Sequence, residues 1–321
     1  MNKTRILQIE ENFLKERNLP RSDILYSYTN GNHQTILLKN GTRYRETLDP
    51  KVARLSFSYG ESCEVKITNC CDAGCKFCHE DSTVNGEHAE LFNKNGTLLQ
   101  IFSTLKPGIE ISIEGGNVLT HPDLLKFLTE LKKRGAVCNI TVNQVHLTRY
   151  EKFIRALIRN ELIFGLGISL KDSSNIKDMR VIKELEDLSC RVYGSNNVVI
   201  KVIAGLLTQK DLNALKRKKV LILGYKDNTG RAISYSKDHF ADIRKNQLWL
   251  KENLNQLSRW FAVMSFDKLA LTQLNTENRP SLIDTEWYLR CAFYFDAVNK
   301  MIGTHAYTGQ TFEESYRLSL K

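Results

Sequence analysis

Six short apolar runs, each followed by a longer segment of helical period, restrict the fold of this chain more than any other feature. They are CEVKIT (63–68), IEISIEG (109–115), VCNITVN (137–143), FGLGISL (164–170), NVVIKVIAG (197–205) and VLILGY (220–225), with AVMSFD (262–267) as a candidate seventh. Helix signals fill the intervals. Thr120 precedes Pro122 and Asp123, a favourable first turn, and the helix opened there should stop at Lys132, Lys133, Arg134 and Gly135. Thr148 with Glu151, and Thr208 with Asp211, each match a capping box. Strand–helix alternation with near-continuous apolar strands predicts an α/β fold, a parallel sheet with helices outside it. Six or so such units make a curled sheet, open or closed into a barrel, with its site at the C-terminal ends of the strands.

The flanks differ from this array. TILLKNGTRYRETL (35–48) predicts a short N-terminal β-hairpin turning at Asn40-Gly41. The alternation breaks after about residue 270, leaving a C-terminal extension. The expected division is 1–60 for the N-terminal hairpin and helix element, 61–235 for the α/β core and 236–321 for a C-terminal helix and extension. With 42% hydrophobic residues and five prolines among 321, the chain can bury a sizeable core. Four cysteines, Cys63, Cys138, Cys190 and Cys291, are scattered, unlike a secreted disulfide framework. No apolar run has transmembrane length and the first residues lack a signal-peptide core, so a cytoplasmic protein without a membrane partner is expected. The net charge of +10 admits an acidic partner such as nucleic acid. Yet LKKRG (131–135) and LKRKKV (215–220) fall at predicted helix ends, where cations suit the helix dipole.

The other four cysteines lie within nine positions of TNCCDAGCKFCHED (68–81). Cys71, Cys75 and Cys78 follow the spacing C-x3-C-x2-C directly after the first strand of the array. Three thiolates on one short loop suit a metal site. Zinc needs a fourth ligand, and His79 is poorly placed beside Cys78 to complete a tetrahedron. A reducing compartment disfavours disulfides. An iron–sulfur cluster is the third option, and three cysteines leave one iron of a [4Fe–4S] cluster open. Cys70 immediately precedes Cys71 and should point to the opposite side of the chain.

CDAGCKFC resembles the C-x3-C-x-Φ-C signature (Φ aromatic) of the radical S-adenosylmethionine (radical SAM) superfamily, and the resemblance extends over residues 60–225. It implies a partial (β/α)6 TIM-like barrel, a [4Fe–4S] cluster on Cys71, Cys75 and Cys78, S-adenosylmethionine (SAM) as cofactor, and Phe77 near the adenine. ISIEGGNVLTHPDLLKFL (111–128) resembles the family segment written GGEP, so the backbone of Gly115 and Gly116 would hold the methionine amino group. Asn117 and Val118 stand where Glu and Pro are usual; Asn117 keeps hydrogen-bonding capacity but not the carboxylate. ITVNQ (140–144) falls where the family often has Thr-Asn-Gly, so the resemblance implies that Asn143, at the mouth of the third strand, helps hold the ribose of SAM. GISLKDS (167–173) resembles the segment supplying a ribose-binding serine, here Ser169, with Asp172 nearby. Taken alone, a Ser or Asn at a strand end is more often a turn or cap residue than a ligand contact, and Gly-Gly reads as an ordinary strand exit. Lys201, inside an apolar strand, needs a counter-charge or anionic ligand, or a stem along the sheet with its head in water. Lys66 and Lys226 raise the same question, and each is a candidate to line the mouth and favour anions.

RCAFYFDAVNKMIGTHAY (290–307) resembles the SPASM or twitch extensions of radical SAM peptide maturases, through Cys291 and YFDAVNK (294–300). No cysteine follows Cys291, so the resemblance implies a degenerate, cluster-free version serving substrate docking; a plain β-hairpin is the alternative. SFDKLALTQL (265–274) is expected to cover the open side of the barrel. The implied function is reductive cleavage of SAM to a 5′-deoxyadenosyl radical that abstracts hydrogen from a peptide or protein. A flavodoxin- or ferredoxin-like electron donor is implied with it. The alternatives are a nucleotide or nucleic-acid substrate, and a zinc-stabilised binding protein with no chemistry.

Overall fold

The computed structural model describes residues 3–92, 102, 105–274, 292–305 and 308–311. The chain opens with helix α1 (Lys3–Arg17) and a three-stranded antiparallel sheet of β1 (Ile24–Asn30), β2 (His33–Leu38) and β3 (Arg43–Thr47). The expected hairpin is β2–β3, its turn tightened by a bond from Thr42 N to Asn40 Oδ1 at 2.9 Å. β1 was not anticipated, although its Ile24, Tyr26 and Tyr28 carry the period-2 pattern of a strand. Ile9, Phe13 and Leu14 of α1 pack on Ile36 and Leu38 of β2, giving this element a small core of its own.

A second sheet of ten strands holds the rest. Its parallel run contains β4 (Ser62–Thr68), β5 (Glu110–Gly115), β6 (Val137–Asn143), β7 (Gly165–Ser169), β8 (Val198–Ile203), β9 (Lys219–Leu223) and β10 (Val263–Phe266), adjacent in chain order. On the other side of β4 come β11 (Ala292–Asp296), parallel to β4, then β12 (Met301–His305) and β13 (Thr308–Thr311), antiparallel in turn. The connecting helices are α2 (Leu124–Lys133), α3 (Leu147–Arg159), α4 (Ile176–Tyr193), α5 (Gln209–Ala214), α6 (Gly230–Asp238), α7 (Phe240–Trp260) and α8 (Lys268–Gln273). The chain is thus a mixed α/β protein with a large, mostly parallel sheet.

The strands are less continuously apolar than the sequence reading expected. On β8, Val198, Ile200 and Val202 are buried, whereas Val199, Lys201 and Ile203 are partly exposed. β5 and β6 alternate in the same way. The buried set joins Leu124, Phe127, Leu128 and Leu131 of α2, and Ile154, Leu157 and Ile158 of α3, in the main core. One sheet face is therefore sealed by helices, at about 1.5–3 kcal/mol per buried Leu, Ile or Phe. The other face carries Glu64, Lys66, Glu114, Thr141, Ser169 and Lys201, a polar lining that only a space accessible to water or ligand tolerates.

Two further expectations need correction. The capping box at Thr208 and Asp211 forms, but the one at Thr148 does not. α3 begins at Leu147, two residues earlier than a Thr148 cap would place it, the Thr148 hydroxyl donates to Asp178 at 3.0 Å, and Glu151 pairs with Arg155. The helix expected from Thr120 starts at Leu124, because a short turn capped by Asn117 intervenes. The run 265–274 lies at the β9 edge of the sheet. It completes β10 and α8, with Asp267 capping α8 through Ala270 N at 2.6 Å. The tail around 294–300 is a hairpin, β11–β12, that widens the sheet; Cys291 lies outside the described residues. Among the described residues no helix is long and apolar enough to cross a membrane.

Glu61, fully buried just before β4, joins the two sheets. It accepts from Thr35 Oγ1 at 2.8 Å, Arg45 Nε at 2.6 Å and Asn30 Nδ2 at 3.1 Å, with His33 Nε2 at 3.2 Å. Burial alone would raise its pKa, but His33, Arg45 and Thr35 together hold it down to about 2. Glu61→Gln should therefore cost about 3 kcal/mol at neutral pH, because Arg45 loses its buried counter-charge. The folded pKa lies below the ordinary value of 4.5, so this contribution is complete above that value and is lost as the pH falls towards 2. Urea unfolding of both forms at neutral and acid pH measures it; equal stability at neutral pH would contradict the assignment.

Candidate functional site

The cysteine-rich loop leaves β4 and doubles back on itself. Cys71 N donates to Thr83 O at 2.7 Å, Thr83 N to Asn69 O at 3.2 Å and Asn69 N to Glu87 O at 2.8 Å. The doubled loop sits on the end of β5, where Gly116 N donates to Thr68 O and Asn117 N to Cys70 O, both at 2.7 Å. A Cβ on Gly115, whose φ is +129°, would fall 2.3 Å from Thr68 O, and one on Gly116 2.3 Å from Cys70 O. Glycine is needed here, as the sequence suggested, but what approaches its backbone is the cysteine loop itself.

Cys71, Cys75 and Cys78 are partly buried and within electrostatic reach of one another. Burial pushes the Cys71 and Cys75 thiols up; the charges of Lys171 and Arg231 and a 3.5 Å bond from Asn143 Nδ2 work the other way on Cys75. Cys70 turns aside, its thiol donating to Val84 O at 3.4 Å. Among the described residues no three His, Cys, Asp or Glu side chains converge on a point that a single metal ion would occupy. A cuboidal iron–sulfur cluster makes a different demand, since it offers separate irons to separate thiolates. Three partly buried thiols on one loop, within electrostatic reach of one another, are a suitable donor set for it.

Side chains from other strand ends grip this loop. Asp72 takes His146 Nε2 and Arg149 Nη2 at 2.8 Å each. His146 is buried, its pKa lowered by desolvation against the pull of Asp72, and its Nδ1 has no partner. Lys171, beyond β7, donates to Ala73 O at 3.2 Å, and Arg231, beyond β9, donates to Cys75 O at 3.2 Å. β4 and β9 are five strand spacings apart, about 24 Å in a flat sheet, so the segments that follow these two strands converge over the strand ends to meet. None of these partners was legible in sequence: each depends on a long-range approach with no local spacing signal.

The other singled-out residues divide. Asn117 is buried; its Oδ1 accepts from Leu119 N at 3.2 Å, and its Nδ2 has no partner. Asn143 caps a turn through Val145 N and spends its Nδ2 on Cys75, so both ends of its amide are engaged. Ser169 is partly exposed, and in register with Asn143 and Lys201. Asp172 is exposed and stabilises its own turn through Ser174. Phe77 meets Tyr235 edge-to-face at 5.8 Å. Lys201 donates to Thr141 Oγ1 at 2.7 Å, its stem crossing Gly167, where a Cβ would lie 2.7 Å from Lys201 Cε. Lys66 does not favour anions, because Glu80 and Asp296 (3.3 Å) neutralise it. Burial would lower its pKa, but those two carboxylates hold it above the ordinary value. Glu114 faces the polar lining. Burial and the charge of Glu64 push its carboxyl up to about 7 against the opposing charges of Lys201 and Lys226.

The chain shares its fold with SuiB of Streptococcus suis. Against SuiB bound to S-adenosylmethionine the TM-score is 0.60 at 13% identity, over 91% of this chain and 85% of that one. Against SuiB bound to the precursor peptide SuiA it is 0.56 at 14% identity, over 80% of this chain and 63% of the other, under two thirds of its length. At such identities the likeness is one of fold. No protein-family model and no curated protein matches the chain.

Gly116→Val would drive its side chain into the Cys70 carbonyl. Overpacking against backbone should lower stability by about 2 kcal/mol and speed maleimide labelling of Cys71 in the metal-free protein. Wild-type stability and labelling in the variant would show that the loop does not rest on this glycine.

Proposed function

We propose that the chain is a radical SAM enzyme that binds S-adenosylmethionine and a [4Fe–4S] cluster and acts on a peptide or protein. One observation carries the reading. Three partly buried thiols stand on a loop that leaves β4, lies on the glycine end of β5, and is gripped by side chains from beyond β6, β7 and β9. The likeness in fold to SAM-bound SuiB supports the cofactor, and peptide-bound SuiB supports the substrate class. In this reading β4–β9 form the partial (β/α)6 barrel, with 1–60 an N-terminal element, 61–235 the core and 236–321 an extension.

A cluster held there would supply the one electron needed for reductive cleavage of the S–C5′ bond of SAM, with methionine as the leaving group and a substrate hydrogen as the target. The chain supplies the holding. Cys71, Cys75 and Cys78 give the thiolates, and Asn143 steadies Cys75 through its amide. The unpartnered Nδ2 of Asn117 offers a donor to the methionine carboxylate, the role its missing side-chain charge would otherwise oppose. Gly115 and Gly116 offer their carbonyls to the methionine amino group, Ser169 its hydroxyl to the ribose, and Phe77 its ring to the adenine side. Glu114 and Lys201 present polar groups to the substrate along the inner face, where exclusion of water protects a reactive intermediate.

Anaerobic reconstitution tests the reading. The wild type should hold about four irons with matching sulfide and release 5′-deoxyadenosine from SAM under dithionite. Cys71→Ala, Cys75→Ala and Cys78→Ala combined should hold none, and Cys70→Ala should retain the full complement. A triple variant that keeps its iron, or a wild type that takes about one zinc instead, would overturn it.

A further inference from the structure

The segment that follows β9 lies against the cysteine loop on both sides of Cys78. A Cβ on Gly230, whose φ is +56°, would fall 2.7 Å from Cys78 O and 2.8 Å from His79 O. The next residue, Arg231, makes several contacts. Its backbone N donates to Asp81 Oδ1 at 2.7 Å, Nε to Cys75 O at 3.2 Å and Nη2 to Ser82 O at 2.9 Å. Ala232 is fully buried beside Tyr225 and Ile243, and Tyr235 meets the Phe77 ring. On the other arm of the loop, Lys171 bonds the Ala73 carbonyl.

We infer that Arg231 is a positioning residue for the metal centre, an inference that rests on the cluster reading above. Its guanidinium is a planar fork, and here the two prongs take carbonyls seven residues apart, before and after Cys78. A loop tied at Cys75 and Ser82 has its Cys75 and Cys78 thiols set before iron arrives. The arginine also brings a permanent positive charge to a place where thiolates gather, and Lys171 brings a second. Neither residue belongs to the C-x3-C-x2-C spacing. The arrangement links the cysteine loop to the docking of α6, the helix that follows β9.

The test uses the full chain with Arg231→Gln and Arg231→Lys, in metal-free and reconstituted form. In the metal-free protein, labelling of Cys75 and Cys78 by N-ethylmaleimide, read by mass spectrometry, should quicken about tenfold in Arg231→Gln, the factor expected of one lost charge-assisted hydrogen bond. In reconstituted protein, iron release to a chelator should also quicken about tenfold in both variants. The midpoint potential should fall in Arg231→Gln, which loses the cation, and stay near the wild-type value in Arg231→Lys, which loses only the fork. Wild-type labelling and iron release in both variants would overturn the inference. If the wild type itself takes up no iron, the cluster reading fails, while the labelling rates of the metal-free forms still decide the positioning role. If Arg231→Gln does not fold, Arg231→Lys carries the same comparison of labelling and iron release.

Discussion

Two backbone hydrogen bonds, from Gly116 N to Thr68 O and from Asn117 N to Cys70 O, fasten the cysteine loop to the end of β5. Everything else at the site follows from that contact. It requires residues without a Cβ at Gly115 and Gly116, since a methyl group at either would stand 2.3 Å from a carbonyl oxygen. It also fixes where the loop can go next. The chain must rise past Cys71 over the strand ends, where Asp72, Ala73, Cys75 and Ser82 come within reach of His146, Arg149, Lys171 and Arg231. A loop carrying three partly buried thiols needs such outside support, because its own short segment cannot bury an apolar core.

The sheet has two chemically different faces, and this divides the labour. Branched and aromatic side chains on one face meet the helices and supply the stability. The opposite face pairs charges instead. Lys66 is held between Glu80 and Asp296, and Glu80 is kept at about 2 by His79 and Lys66 in spite of its burial. With that lysine satisfied internally, the described groups this face offers a ligand include Glu114, Ser169 and Lys201, together with the orphaned amide of Asn117. A face of this kind offers a few oriented polar groups of both charges.

Local signals in the sequence were read correctly where local physics decides. The parallel strands fell where short branched runs predicted them, the β2–β3 turn formed at Asn40-Gly41, and Thr208 caps its helix through Asp211. The reading failed where a distant partner takes over. Thr148 had the spacing of a cap, but Asp178 on the next helix competes for its hydroxyl. Lys201 has the carboxyl of Glu114 within electrostatic reach, but its hydrogen bond goes to a threonine hydroxyl on the strand beyond its neighbour, because Gly167 on the intervening strand leaves room for its stem. Arg231 and Lys171 carry no spacing signal at all, since their meaning depends on which segments converge over the strand ends. The alternation of β8 was hidden because Val199 and Ile203, on the open face, are apolar in type though partly exposed.

The central claim is that Cys71, Cys75 and Cys78 present a cluster with one iron open to S-adenosylmethionine. Low-temperature electron paramagnetic resonance of the dithionite-reduced protein, recorded before and after adding S-adenosylmethionine, tests it most directly. The account predicts a [4Fe–4S]⁺ signal whose g-values shift when the ligand is added. A signal indifferent to S-adenosylmethionine, or none in protein that has taken up its full iron, would contradict it.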